Sequence, residues 1–258
     1  MKSHTFLKLF KNNGIRLLAA GTLLVSMSNV SPAQNTPRVA SLSKAEASRA
    51  SAAEQNKYTF IMFWKDQDTT TKSMWSTLQQ NLSDKNTASV VAVNTGDPQE
   101  RKIVEQYGVS RAPMPLTLAV APNGAVTGSY VKQINADYIQ QAFVSPAKSR
   151  CMQNRRMVLL CVNASNSTGI PNGVQNFQSM PCYKNAVEVI TVSQSEPTER
   201  DFLNELRVPD SQNSSVIFMA PPGVMVGKFN NSVTSQQLIA ELKKAGKSCG
   251  VEGCKHCK

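Results

Sequence analysis

Apolar residues arrive in runs of two kinds along this chain, and the spacing within each run separates strands from helices. Tyr58–Trp64 is a continuous apolar run of strand length, as a strand covered on both faces reads. From Lys72, residues Met74, Trp75, Leu78 and Leu82 recur near the 3.6-residue period and predict a helix. Ser89–Val93 reads as a second strand. Pro98 opens the next helix at a first-turn position, with Ile103, Val104 and Tyr107 on its inner side. Leu116–Val120 is a third strand, and Asn123-Gly124 marks a hairpin turn into Ala125–Tyr130. Asn135 caps a closing helix that carries Ile139, Ala142 and Phe143. Ahead of all this, Ser43–Asn56 is rich in Ala, Ser, Glu and Lys and reads as a lead-in helix.

The same order then recurs. A shift of 99 residues lays 58–143 over 157–242 without a gap. Lys85-Asn86 meets Lys184-Asn185, and Asp97-Pro98-Gln99-Glu100-Arg101 meets Glu196-Pro197-Thr198-Glu199-Arg200. Ala121-Pro122-Asn123-Gly124 meets Ala220-Pro221-Pro222-Gly223, and Gly128 meets Gly227. Solenoid repeats run about 20–50 residues, so a unit of this length is a whole domain rather than a stacking module. Strands are expected at Met157–Val162, Val187–Val192, Val216–Met219 and Val224–Phe229, with a closing helix capped by Thr234. Each unit is therefore a βαβ half followed by a β-hairpin and a helix.

Composition adds two exclusions. The only histidines are His4 and His256, so neither a Ser-His-Asp nor a Cys-His arrangement can lie in the body, nor can a His-ligated metal site. There are 28 Lys+Arg against 17 Asp+Glu. Lys2, Lys8, Lys11 and Arg16 accompany the apolar run Leu17–Met27, and small Ser31 and Ala33 follow. That order predicts an export signal over residues 1–33, cleaved before Gln34. The run is too short for a membrane span of about 20 residues, so no span is expected after cleavage. Cleavage removes four positive charges and no negative ones, taking +11 to +7. A balance so spread out needs no nucleic-acid partner. The expectation is a periplasmic or secreted protein.

Phe63-Trp64-Lys65-Asp66-Gln67-Asp68-Thr69-Thr70-Thr71-Lys72 resembles the strand end and helix start of the thioredoxin family, whose pattern is Phe-Trp-Ala, a short gap, then Cys-x-x-Cys-Lys. Ala112-Pro113-Met114-Pro115-Leu116, with Asn123-Gly124 beyond it, is similar to that family's cis-proline loop and following turn. The likeness covers residues 43–143; in the second unit it rests on the internal repeat. It implies an α/β chain of two tandem thioredoxin-like domains, each a mixed central sheet flanked by helices. The boundaries expected are signal 1–33, linker 34–42, first domain 43–145, second domain 146–245 and Cys-rich tail 246–258.

At the two cysteine positions of the motif this chain has Asp68 and Thr71, and in the second unit Ser167 and Ile170. Thiol–disulfide exchange needs a thiolate and a second thiol to resolve the mixed disulfide, so no catalytic residue is expected in either body site. Ser214 stands where the first unit has Pro115. What the resemblance leaves is a peptide-binding surface at Trp64, Asp68, Met114 and Pro115; the bland alternative is that Trp64 and Met114 pack and Pro115 holds a loop.

Six cysteines remain. Cys161 falls in a buried strand and is expected to be an inert core thiol. Cys151 falls on a lead-in helix and Cys182 in a loop, and a Cys151–Cys182 or Cys161–Cys182 disulfide is permitted in an oxidising compartment. The tail carries Cys249, Cys254, His256 and Cys257, which could supply soft ligands for zinc or copper, or a redox-active C-x-x-C pair, or a plain disulfide. The leading expectation is a non-catalytic component of the cell envelope that binds or scaffolds another protein or peptide, with no cofactor. The alternative is thiol-redox or metal handling through the tail.

Overall fold

The computed structural model describes residues 42–153, 155–164, 169–208 and 213–244. The first sheet contains β1 (Tyr58–Trp64), β2 (Ala88–Asn94), β3 (Leu116–Val120) and β4 (Val126–Val131), in the order β2-β1-β3-β4. β1 is parallel to β2 and antiparallel to β3, and β4 closes the far edge. Around it lie α1 (Lys44–Glu54), α2 (Thr69–Leu82), α3 (Arg101–Gln106) and α4 (Ala136–Gln141). The second sheet repeats the arrangement as β5 (Met157–Asn163), β6 (Val187–Ser193), β7 (Ser215–Ala220) and β8 (Val224–Asn230), in the order β6-β5-β7-β8. Its helices are α5 (Pro146–Gln153), α6 (Asn172–Ser179), α7 (Arg200–Glu205) and α8 (Ser235–Lys244).

The repeat extends to register. Phe60 pairs with Ala119 and Leu159 with Phe218, each moved by 99 residues, and both hairpins shift register at the same place, Ala119/Val120 and Phe218/Met219. β1 is apolar throughout because both its faces are covered. Ile61 and Phe63 join Val93, Ile103 and Ala45 on one face, while Phe60 and Met62 meet Met74, Leu78 and Ile139 on the other. Each such side chain contributes about 1.5–3 kcal/mol on burial.

Helix boundaries depart from the sequence pattern where caps decide them. α2 starts at Thr69, three residues before Lys72, because Asp68 accepts a hydrogen bond from the Thr71 N–H and opens the helix ahead of its apolar stripe. α1 starts behind a capping box in which the Glu46 N–H donates to Ser43 Oγ and the Ser43 N–H to Glu46 Oε2. It ends at Glu54, and Asn56 just beyond is left-handed at φ 55°. The segment at Pro98 forms a 3-10 turn, Pro98–Glu100, before α3 continues it.

The two sheets meet through α5. The Ser149 hydroxyl donates to Asn123 Oδ1 at 2.8 Å, and Gln153 Nε2 donates to the Asn123 carbonyl. Glu199, 4% exposed, accepts from the Ser145 hydroxyl and from the Ala147 N–H at 2.8 Å, fixing the start of α5 against its own domain. Among the described residues no helix is long and apolar enough to cross a membrane.

Candidate functional site

β1 delivers Trp64 to the end of the first sheet, and the exposed turn Lys65-Asp66-Gln67 leads to α2. Phe63 pairs with Leu116, so continuing that register sets Trp64 beside Pro115. The Met114–Pro115 peptide is cis. Pro115 is buried, and its carbonyl accepts from the N–H of Lys132, a left-handed residue at φ 61°.

Asp68 and Thr71 are brought together, and both are consumed by the helix start. Asp68 Oδ1 receives the Thr71 N–H at 2.7 Å, while the Thr71 hydroxyl donates to the Asp66 carbonyl at 2.8 Å. The hydrogen bonds from Thr71, its backbone N–H first, hold the Asp68 carboxyl below the usual carboxylate range, and Lys132 adds to this. Trp64 is half-buried against the cluster of Phe60, Met74 and Ile139, and Met114 packs on the opposite face with Phe63 and Leu116. Each of the two packs, and each keeps part of its surface. Lys132 was not legible beforehand, since no sequence signal marks a lysine that reaches this turn through a left-handed backbone.

The matching place in the second domain is built differently. Ser214 is buried, and its hydroxyl accepts the Ala164 N–H at 3.0 Å, which ties the end of β5 to the start of β7. Ile170 is half-buried against the core, and its carbonyl accepts from Gln175 Nε2 at 2.7 Å. α6 begins behind Pro171 with no side-chain cap. Ser167 lies outside the described residues, as do the signal over 1–33 and Cys249, Cys254, His256 and Cys257 of the tail.

A central strand with one parallel and one antiparallel neighbour, an antiparallel edge strand, and a cis proline entering β3 are now in place. Both domains have the thioredoxin-like fold. No protein-family model matches the chain, and no curated protein does. Solved structures similar to it include thioredoxin O1 from Arabidopsis thaliana, at 10% identity over 39% of this chain and 88% of that one, with a TM-score of 0.31. The first two thioredoxin domains of Naumovozyma dairenensis Eps1p are similar at 12% identity over 78% of this chain and 92% of that one, TM-score 0.28. Human ERp44 is similar at 10% identity over 79% and 56%, TM-score 0.34. The fold assignment rests on strand order and register, not on these scores.

In thioredoxin-like terms, the dithiol positions of the first domain hold a carboxylate and a hydroxyl locked into a helix cap. Neither can attack or resolve a disulfide. The described cysteines are elsewhere. Cys151 belongs to the cluster with Val158, Leu160 and Ile190, whereas Cys161 and Cys182 lie with Phe177 and Phe218 across the sheet. No disulfide joins any two of them, and a Cys151–Cys182 link is barred by the sheet between them. Burial pushes the Cys151 and Cys161 thiols up to about 12, so both are inert, as expected for Cys161. Among the described residues no group of three or more His, Cys, Asp and Glu side chains could hold a metal ion.

Proposed function

We propose that this is an exported, non-catalytic tandem thioredoxin-like protein that presents the end of its first sheet to a polypeptide of the cell envelope. The observation that carries the reading is the Asp68–Thr71 cap. It replaces the dithiol with groups that already have partners, while Trp64 and Met114 keep exposed surface on either side of Pro115. Such a platform recognises extended peptide through main-chain hydrogen bonds and side-chain pockets, with no thiol required. The rival reading places thiol or zinc or copper chemistry in the tail, at Cys249, Cys254, His256 and Cys257, on the strength of the Cys254-x-x-Cys257 spacing.

One experiment separates them. The mature protein, a variant lacking residues 248–258 and a Trp64→Ala variant are cross-linked to envelope polypeptides and assayed for disulfide reduction. Capture retained by the truncation and lost by Trp64→Ala, with no reduction by any form, is the expected result. Reduction by the truncated protein would overturn the account of Asp68 and Thr71. Activity or metal uptake abolished by the truncation would favour the tail.

A further inference from the structure

We propose that the second domain binds a neutral carbohydrate in a cavity between the starts of α6 and α8, a site independent of the platform on the first domain. The cavity measures about 610 Å³, inside the range of about 300–1,000 Å³ that takes small organic ligands. On its wall Gly173 and Val233 meet so closely that an added Cβ would overlap the Val233 carbonyl. The polar side chains around it are of one chemical kind. Asn172, Asn176, Asn231 and Gln236 bring amides, and Ser232 and Thr234 bring hydroxyls. No acidic, basic or aromatic side chain stands among the described lining residues. The side-chain amides of Asn172, Asn176 and Asn231 make no hydrogen bond among the described residues. Each therefore keeps both its donor and its acceptor for a ligand.

The repeat makes this neutrality a feature of the second domain alone. At a shift of 99, Pro171, Asn231 and Gln236 stand where the first domain has Lys72, Lys132 and Asp137. Three charged positions are thus neutral here, while the strands keep their order. Gly173 likewise stands where Met74 fills the first core. The chemistry of the lining then selects the ligand. Strong anion sites use Lys or Arg, and metal sites use carboxylates, thiols or imidazoles. Peptides are taken by a free strand edge, an apolar groove, or one lined by aromatics or arginines. None of these is offered: the described lining comes from the chain entering α6, α6 itself, the β8–α8 turn and the first turn of α8, and no strand borders it. A sugar ring presents a donor and an acceptor at every hydroxyl, which amides match in pairs. Ile170, Pro171 and Val233 supply apolar surface for its C–H groups.

The test is a magnetic-resonance titration of the isotope-labelled full mature chain with maltotetraose, cellotetraose and chitotetraose, each up to about 20 mM, a ceiling that reaches weak binding. At least one sugar should shift the side-chain amides of Asn172, Asn176 and Asn231 and leave the first domain unmoved. Asn172→Ala and Asn231→Ala, both at exposed sites, each remove one of these amides. Each should weaken binding about three- to tenfold. Ser73→Ala, at the first-domain counterpart of Asn172, should change nothing. Shifts with none of the three sugars overturn the proposal, as does sugar binding that neither Asn variant weakens. A tighter response to inorganic phosphate would overturn it by making the two helix starts an anion site. A tighter response to a tetra-alanine peptide would overturn it by making the cavity a peptide groove.

Discussion

In the first domain the chain leaves β1 through an exposed turn, Asp68 caps α2 with its own carboxylate, and Pro115 lies beside Trp64. In the second, Ser214 ties β7 to the end of β5, and α6 starts behind Pro171 with no side-chain cap. α6 also presses so closely on the chain before α8 that a Cβ on Gly173 would overlap the Val233 carbonyl and reach 2.9 Å from Thr234 Cα. The repeat preserves strand order and register, which the buried apolar strands dictate, but not how the helix after the first strand is begun. One domain uses a side-chain acceptor and keeps an open platform. The other has no side-chain cap and packs its first turn closely on the chain before α8. Fold and local site structure are thus separately variable.

The comparison predicts its largest contrast in the cysteines, all three of which, among the described residues, belong to the second domain. With thiols raised from 9.0 to about 12, Cys151 and Cys161 carry roughly a thousandfold less thiolate at pH 8 than in the unfolded chain. Alkylation of the native protein, followed by mass spectrometry, should leave both unmodified while unfolded protein reacts at once. Rapid native labelling of Cys161 would mean that β5 is not held between covered faces.

Core substitutions at one repeat position should act by opposite mechanisms. Met74 and Gly173 coincide at a shift of 99. Met74→Ala opens a cavity among Phe60, Leu78 and Ile139 and should cost about 2–5 kcal/mol. Gly173→Ala forces atoms where backbone already lies and should cost about 1–3 kcal/mol, in the second domain only. Urea unfolding followed by the two tryptophans, both in the first domain (Trp64 and Trp75), against far-ultraviolet dichroism of the whole chain resolves which domain yields. Equal loss in both domains would show that they unfold as one unit.

The carboxylates Glu100 and Glu199 sharpen the contrast further. Glu199 holds two donors at the start of α5, whereas Glu100 Oε2 is buried without a partner and α1 is capped from within by Glu46. Glu199→Ala should therefore cost about 1–3 kcal/mol by stranding the Ser145 and Ala147 donors, and Glu100→Ala clearly less. Equal costs in chemical denaturation would remove this asymmetry.

Much of this architecture was written in the apolar pattern. Tyr58–Trp64 and Leu116–Val120 appear as expected to the residue, because a strand covered on both faces must be apolar from end to end. β5, β6 and β8 run one residue longer, where pairing continues past the last apolar side chain, as at Asn163 and Ser193; β2 and β7 gain a residue at each end, and β4 lies one residue later than expected, at Val126–Val131. The start of α2 was missed because its first turn, Thr69-Thr70-Thr71, is polar and only the Asp68 bond announces it. That Asp68 and Thr71 carry no thiol was legible from residue types alone. What held those positions instead was not, since a cap depends on a backbone angle and a turn such as that of Lys132 depends on a left-handed one.

The smallest effect concerns acid. Asp68 lies below its ordinary 3.8 because the Thr71 and Thr70 donors favour its charged form. Glu46 lies below 4.5: burial pushes it up, but the Ser43 N–H and the Lys102 ammonium, 3.1 Å away, outweigh that. For both, the folded value is the lower one, so their stabilisation is complete above the unfolded value and is lost as pH falls through the folded one. Both sit at helix starts in the first domain. Its amides at Glu46 and Thr71 should therefore lose exchange protection, by a fewfold, as pH falls below the ordinary carboxylate values of 4.5 and 3.8 and through the lower folded ones. Asn keeps a capping acceptor but does not titrate, so Asp68→Asn should flatten the Thr71 profile and leave the Glu46 profile unchanged. If Thr71 still loses protection in that variant, the acid response comes from elsewhere in the domain, and the cap is not what distinguishes the first helix start from the second.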